Sequence, residues 1–237
     1  MAGSILKRAF GMKTMTRRDL QKLAKGLDVA YSCVAHFEAF EDKRGYDNGK
    51  QFSAEFYKRG IQKTLLDHWM SSGPSTYTLD GNGCNFNAGI AGCEWAAYLR
   101  VRSPDAVVLR VYPKDRTAKA EHILCQLISS LIYNFATLVP GEFDRVDSLS
   151  KWNFEALAQG GAQGIGAGLR ILESLPELEV RGDNFLCVVD ALNLAENENT
   201  AVDVKKLAAV LGRILARHNG HLLYTMAKRR KRKDDIS

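Results

Sequence analysis

Residues 76–80, Thr-Tyr-Thr-Leu-Asp, lead into the sequence Gly81-Asn82-Gly83-Cys84-Asn85-Phe86-Asn87-Ala88, and a helix-compatible run follows over 89–101. A short apolar strand, a glycine-bearing turn and a helix are the frame of a phosphate-binding loop, whose template is GxxxxGK[ST]. The frame predicts a nucleotide-binding α/β fold that opens at this strand.

The residues that would carry out phosphate chemistry are replaced in this turn. Phe86 stands at the second glycine of the template, Asn87 at the lysine and Ala88 at the Mg²⁺-binding hydroxyl. No lysine or arginine occurs between Lys63 and Arg100. The turn is therefore predicted to be a vestigial nucleotide-binding loop. Its candidate positions are Gly81, Asn82, Gly83, Asn87 and Ala88.

Composition is that of a globular chain. It has 237 residues, 46% of them hydrophobic and 25% charged, which fits either one large α/β domain or one domain with an extra N-terminal helical piece. No apolar run approaches the ~18 residues that a membrane span needs, so no span is expected. Residues 1–10 lack the apolar stretch of a secretory signal, and an intracellular protein is predicted.

Cysteines and histidines form no recognisable metal site in the sequence. The five cysteines are far apart and are expected to be buried free thiols. Of the five histidines, only His218 and His221 are close in sequence. No cysteine or carboxylate stands at metal-ligand spacing beside them, so no zinc site is predicted.

Helical periodicity dominates the N-terminal part. Apolar residues recur at three- and four-residue spacing over 16–40, with Thr16 as a candidate cap, and again over 52–70. A polar segment with two glycines, 41–50, separates them. Residues 1–74 are therefore predicted to be a helical N-terminal extension.

From residue 75 to 227 strands and helices alternate. Predicted strands cover 77–80, 106–112, 185–190 and 221–225, and predicted helices cover 89–100, 118–136, 154–175 and 202–218. Strands separated by helices favour a parallel sheet. The predicted fold is α/β, with a parallel sheet of about four strands and helices on both faces. A glycine-rich stretch, 160–168, lacks the preceding strand of a dinucleotide fingerprint, so close helix packing or a mobile loop is expected there.

A second motif follows in the third strand. Phe185-Leu-Cys-Val-Val-Asp190 is an apolar run that ends in aspartate, the form of a Walker B strand. A carboxylate at the carboxyl end of a buried parallel strand can hold Mg²⁺ or its bound water. Asp190 is therefore a candidate metal ligand, and it is expected to lie close to Gly81 and to the end of the strand that stops at Thr225.

With these motifs in order, residues 60–227 resemble the STAND class of P-loop NTPases, especially NACHT-like domains of fungal multidomain proteins. Trp69 precedes the first strand, as a tryptophan often does in that group. Asp190-Ala191-Leu192-Asn193 looks like the family's Asp-Ala-Leu-Asp sequence, and Leu222-Leu223-Tyr224-Thr225 looks like its sensor strand. The resemblance implies a P-loop NTPase-like fold in which Asp190, Asn193 and Thr225 line a nucleotide site.

The departures from the family predict an inactive relative. Asn193 stands where an acidic residue usually helps to activate water, and Met226 follows Thr225 where the family has serine. Losing one preorganised electrostatic contact costs ~10²–10³ in rate, and here a cation, a metal ligand and an acid are missing together. No catalytic residue is assigned, and no cofactor is expected. ATP or GTP with Mg²⁺ would bind only if the loop were functional.

The basic charge is concentrated at the C-terminal end. The chain has a net charge of +6, and removing residues 228–237 leaves +2. A nuclear-localisation-like run consists of Lys228, Arg229, Arg230, Lys231, Arg232 and Lys233. Such runs also bind nucleic acid or acidic surfaces, or are simply solvated, and this one is expected to be a disordered tail in either the nucleus or the cytoplasm.

Three functions remain open from the sequence. The first is a catalytically inactive NACHT/STAND-like domain that acts through protein partners or regulation. The second is an active NTPase with an atypical phosphate loop, in which Lys114 or Arg116 supplies the cation. The third is a nucleic-acid-associated protein that acts through the basic run.

Overall fold

A computed structural model describes residues 14–27, 60–71, 73–80, 95–96, 99, 103, 105–180 and 185–226. The phosphate-loop-like turn, 81–88, and the basic run, 228–233, lie outside these residues. Elements are numbered in chain order within the described part of the chain.

A four-stranded parallel sheet forms the centre of the fold. Its strands are β2 (Ser75–Asp80), β3 (Val107–Val111), β5 (Phe185–Asp190) and β6 (His221–Met226), in the spatial order β2-β6-β5-β3. All neighbouring strands run parallel. The predicted parallel sheet is confirmed.

Helices cover both faces of this sheet. They are α1 (Arg17–Lys25), α2 (Ile61–Trp69), α3 (Ala120–Phe135), α4 (Lys151–Gln159), α5 (Gly161–Glu173) and α6 (Ala201–Ala216). Strand side chains alternate between the faces, as a pleated sheet requires. Phe185 and Cys187 point into a large core with α1, α3, α5 and α6, whereas Leu186 and Val188 point into a smaller core with α2. Every residue of β5 is buried, as expected for a central parallel strand.

The N-terminal helix is shorter than the predicted 16–40. Thr16 caps it as expected: the Asp19 amide donates to the Thr16 hydroxyl oxygen over 3.1 Å. The helix ends at Lys25, where the Gly26 amide donates to carbonyls of the last turn. Leu20 and Ala24 are buried in the large core, so this part of the predicted extension packs with the α/β unit.

The second predicted helix, 52–70, also differs in extent. It begins at Ile61, because Gly60 takes a left-handed conformation with φ +68°. It ends at Trp69, where Met70 caps it.

A small antiparallel pair was not predicted. β1 (Thr14–Thr16) pairs with β4 (Glu142–Asp144), joining the N-terminal segment to the irregular region around residue 140. Arg17 reinforces this junction, since its amide donates to the Gly141 carbonyl oxygen over 3.0 Å.

The predicted helix 154–175 is two helices. Gly160 and Gly161 have φ +80° and +68°, and this turn separates α4 from α5. The glycine-rich stretch then packs closely against its neighbours: a Cβ on Gly168 would lie 2.4 Å from Ile128 Cγ2, and one on Gly164 would lie 2.8 Å from the Ala156 carbonyl oxygen. The expectation of close helix packing is confirmed.

Candidate functional site at the carboxyl edge of the sheet

The carboxyl ends of the four strands gather at one edge of the sheet. Asp80, Val111, Asp190 and Met226 end their strands there, because all four strands are parallel. The helices after β3 and β5 pack on the large core, whereas Trp95, after β2, packs on the other face. The connection after β2 therefore lies on one face of the sheet, and the connections after β3 and β5 lie on the other. Ligands of open α/β sheets bind at the carboxyl edge beside such a change of face.

Asp190 is the buried polar centre of this edge. Its side chain has no exposed surface. The Thr225 hydroxyl donates to Asp190 Oδ1 over 2.5 Å, and Arg116 Nη2 donates to Asp190 Oδ2 in an ion pair. Both carboxylate oxygens are thus bound by groups of the protein itself. The predicted proximity of Asp190 to the end of the Thr225 strand is confirmed.

Burial and pairing have opposite effects on the pKa of Asp190. Burial raises the pKa of Asp190, because the charged form loses its hydration. The positive charge of Arg116 and the Thr225 hydroxyl oppose that rise. A charge in such a place is tolerated only when it is paired and hydrogen-bonded, and here it is both.

Arg116 is presented by a structured loop after β3. The amides of Lys114 and Asp115 donate to Gln126 Oε1 over 2.8 and 3.3 Å, and Gln126 on α3 is only 2% exposed. The amide of Thr117 donates to Asp115 Oδ1 over 2.8 Å and closes a short turn around Arg116. The loop therefore holds the Arg116 guanidinium at the edge where Asp190 lies.

The backbone after Asp190 is tied to β6. Ala191 is left-handed at φ +58°, and its amide donates to the Thr225 carbonyl oxygen over 2.8 Å. Asn193 lies in the following 3₁₀ turn, Leu192–Ala195, and is partly buried. The structure thus places three of the predicted site residues, Asp190, Asn193 and Thr225, at this edge.

The remaining predicted site residues lie outside the described part of the chain. In the turn these are Gly81, Asn82, Gly83, Asn87 and Ala88. β2, the strand before these residues in the sequence, ends at Asp80 in register with Met226, at this same edge. The nuclear-localisation-like residues 228–233 also lie outside the described part.

Two residues of the site, Arg116 and Gln126, were not assigned to it from the sequence. Arg116 entered only as an alternative cation, and its partner Asp190 is 74 residues away. Gln126 was missed, although a polar residue inside the apolar stripe of α3 is a signal for a buried hydrogen bond.

Asp190 is the candidate magnesium ligand at this edge, and Mg²⁺ takes oxygen ligands in a near-octahedral arrangement. Both oxygens of Asp190 already accept hydrogen bonds, one of them from the cation Arg116, so a metal ion would compete with Arg116 for this carboxylate. Within the described ranges, no group of three or more His, Cys, Asp or Glu side chains could hold a metal. The two cysteines described there, Cys125 and Cys187, are buried free thiols, as expected.

Comparison with known proteins adds no family assignment. No helix in the described part of the chain is long and apolar enough to cross a membrane. No protein-family model matches this chain, and no curated protein matches it. The fold is thus a parallel α/β sheet compatible with a P-loop NTPase-like domain, with Asp190 at its carboxyl edge.

Proposed function

We propose that this chain is a degenerate STAND-class, NACHT-like domain that does not hydrolyse nucleotides and acts in protein interaction or regulation. The observation that carries the proposal is the closure of Asp190 by Arg116 and Thr225. A Walker B carboxylate works by offering an oxygen to Mg²⁺ or to its water. In this chain that carboxylate is occupied by a fixed cation of the protein.

The electrostatic consequence supports the same proposal. A Mg²⁺ ion approaching Asp190 would meet the positive charge of Arg116, and like charges at this range repel in a poorly solvated site. Asn87 and Ala88 supply neither the lysine nor the hydroxyl of the phosphate loop. Phosphoryl transfer relies almost wholly on positioned charges, and the positions that would supply them are changed here.

One observation favours an active NTPase as the second candidate. Arg116 lies at the carboxyl edge, and 35% of its side chain is exposed, so its remaining donors could bind phosphate in place of the missing lysine. In that case nucleotide would draw Arg116 away from Asp190, and activity would depend on Arg116. An inactive domain would show neither the movement of Arg116 nor an activity that depends on it.

The basic run supports a proposal about location. Six consecutive basic residues, 228–233, form a nuclear-import pattern, and we propose that they direct the chain to the nucleus. Binding to nucleic acid would use the same charges, and its affinity would fall steeply with salt.

Calorimetric titration tests the proposed function directly. Mg²⁺-ATP and Mg²⁺-GTP are titrated into the full chain, and then into Asn87→Lys/Ala88→Thr, which restores two template residues. The proposal expects no Mg²⁺-dependent binding to the wild type. Saturable binding that requires Mg²⁺ and weakens in Asp190→Asn would show that Asp190 still serves a nucleotide site, and phosphate release above buffer would then reject the proposal in favour of the active candidate.

A further inference from the structure

A second polar cluster lies at the opposite, amino edge of the sheet. Ser75 begins β2 and His221 begins β6, and the two residues are paired in the strand register. His68 reaches the same point from α2. This cluster joins α2 to the sheet and shares no residue with the carboxyl edge, so its role is independent of the proposed function.

Both imidazoles contact one hydroxyl group. Ser75 Oγ lies 2.6 Å from His221 Nδ1 and 3.2 Å from His68 Nε2. The two rings have centroids 5.6 Å apart, and the ring centroid of Trp69 lies 4.9 Å from that of His221. The serine hydroxyl therefore bridges two histidines on different elements.

Proton counting shows what this bridge requires. A neutral imidazole has one N–H donor and one acceptor nitrogen, and the serine hydroxyl has a single proton. The hydroxyl oxygen also has two lone pairs, so Ser75 either donates to one ring and accepts from the other, or its oxygen accepts an N–H from both rings. When both rings are protonated, only the second arrangement remains. Two positive charges then face one oxygen, with their ring centroids 5.6 Å apart.

The surroundings penalise the doubly charged state. Burial lowers the pKa of His221 and of His68, and the charge of His68 lowers that of His221 further. Three groups face the two histidines: Trp69 from α2, and both Ser75 and Tyr77 from β2. The other charged side chains in this part of α2, Lys63 and Asp67, are exposed. Within the described residues, no acidic side chain forms an ion pair with either histidine.

We infer that His68, Ser75 and His221 form a pH-sensitive clamp, which holds α2 on the sheet when the histidines are neutral and releases α2 when both are protonated. Release would uncover Leu65 and Trp69, which α2 contributes to the smaller core. A metal clamp is the weaker interpretation of the same geometry, because two imidazoles fall short of the three or four protein ligands of zinc sites.

Hydrogen exchange of the full chain tests the clamp. Amide protection in α2 is measured between pH 7.5 and 5.0 and corrected for the intrinsic exchange rate. Because release takes up two protons, protection should fall by up to about 100-fold per pH unit below the ordinary histidine pKa of ~6.5, against about 10-fold for one histidine. Amides of α2 should also exchange ahead of those of α3.

Matched variants isolate the pair from other histidines, among them His218, whose pKa burial also lowers. His68→Gln/His221→Asn keeps amide groups near the two ring nitrogens but cannot titrate, and should lose the steep dependence. His122→Gln, at an exposed position on α3, should keep it. Equal pH dependence in the double variant and the wild type would overturn the clamp, as would equal loss of protection in α2 and α3.

A measurement on the wild type alone guards against a variant that does not fold. The ring Cε1–H resonances of His68 and His221 are followed by NMR in the native state. The clamp expects both to titrate below the ordinary value, in two coupled steps. Independent titration of both rings at the ordinary value would overturn it.

Discussion

At the scale of single residues, Asp190 and Arg116 form a pair in which one partner is fully buried and the other is partly exposed. Thr225 binds the oxygen that Arg116 leaves free. Removing one partner of such a pair leaves a buried charge without compensation, which costs more than the pair itself contributes.

Arg116→Ala should destabilise the protein by about 3 kcal/mol at pH 7. This is the lower end of the range for buried pairs, because Arg116 keeps a third of its side chain exposed. The pKa of Asp190 should rise further once the positive charge is gone. A folded-state pKa above the unfolded value means that the native state binds more protons, so the variant should lose stability as pH rises and recover part of it toward pH 4. Denaturant unfolding across this range measures both effects.

Two controls accompany this prediction. Arg213→Ala removes an exposed pair with Glu173, with side chains 63% and 49% exposed, and should cost below about 0.5 kcal/mol. Arg116→Ala/Asp190→Asn removes both charges and should regain most of the loss. An Arg116→Ala variant as stable as Arg213→Ala would show that the pair does not close the edge.

The sequence indicates some of these residues and not others. Asp190 ends a continuous apolar run and Thr225 ends the next strand, so both could be placed at one edge by the rule for parallel sheets. Periodicity carries no signal for a side-chain contact across a long stretch of chain. The Arg116 pair spans 74 residues and the Ser75–His221 contact spans 146, so neither could be predicted.

At the scale of elements, the contact between α4, α5 and α3 depends on glycines that have no side chain to displace. Gly168 faces Ile128 and Leu157, whereas a Cβ on Gly166 would meet only Arg170 Nη1 at 3.5 Å. The same substitution should therefore have opposite effects at two positions of one helix.

Gly168→Ala should destabilise the protein by about 1–3 kcal/mol, since the added methyl group overlaps the buried Ile128 side chain. Gly166→Ala should stabilise it by about 0.5–1 kcal/mol, because alanine is the better helix former and has room. Thermal unfolding of the two variants measures the difference. A destabilising Gly166→Ala together with a neutral Gly168→Ala would mean that the packing of α5 is misassigned.

Elements with strong patterns were predictable, and short or interrupted ones were not. The continuous apolar run of β5 indicates a buried strand, and the helical spacing of apolar residues in α3 and α6 indicates helices. β1 and β4 have three residues each, too few for a pattern, and form only because they pair with each other. The break between α4 and α5 was missed because Gly160 and Gly161 stand in a continuous helical pattern, and only their positive φ reveals the turn.

At the scale of the whole molecule, the order of the parallel sheet brings its first strand, β2, beside its last, β6. β2 therefore ends at the same edge at which Asp190 and Thr225 meet. The parallel sheet order is compatible with a P-loop NTPase-like fold.

Replacing the six basic residues 228–233 by serine should move a fluorescent fusion from the nucleus toward the cytoplasm. Because the run is uniformly charged and has no apolar anchor, the unfolding temperature should stay nearly unchanged, with a change in the free energy of unfolding within ~0.5 kcal/mol. Imaging and thermal unfolding measure the two effects. An unchanged distribution would reject the import role, and a large loss of stability would mean that the run packs on the folded part.

Phosphate release from Mg²⁺-ATP and Mg²⁺-GTP by the full chain decides between an inactive domain and an NTPase. The missing phosphate-loop lysine and the closed Asp190 carboxylate predict a rate equal to that of buffer, and equal again in Asp190→Ala. Release above buffer that Asp190→Ala abolishes would contradict the inactive domain, because it would show that Asp190 takes part in catalysis.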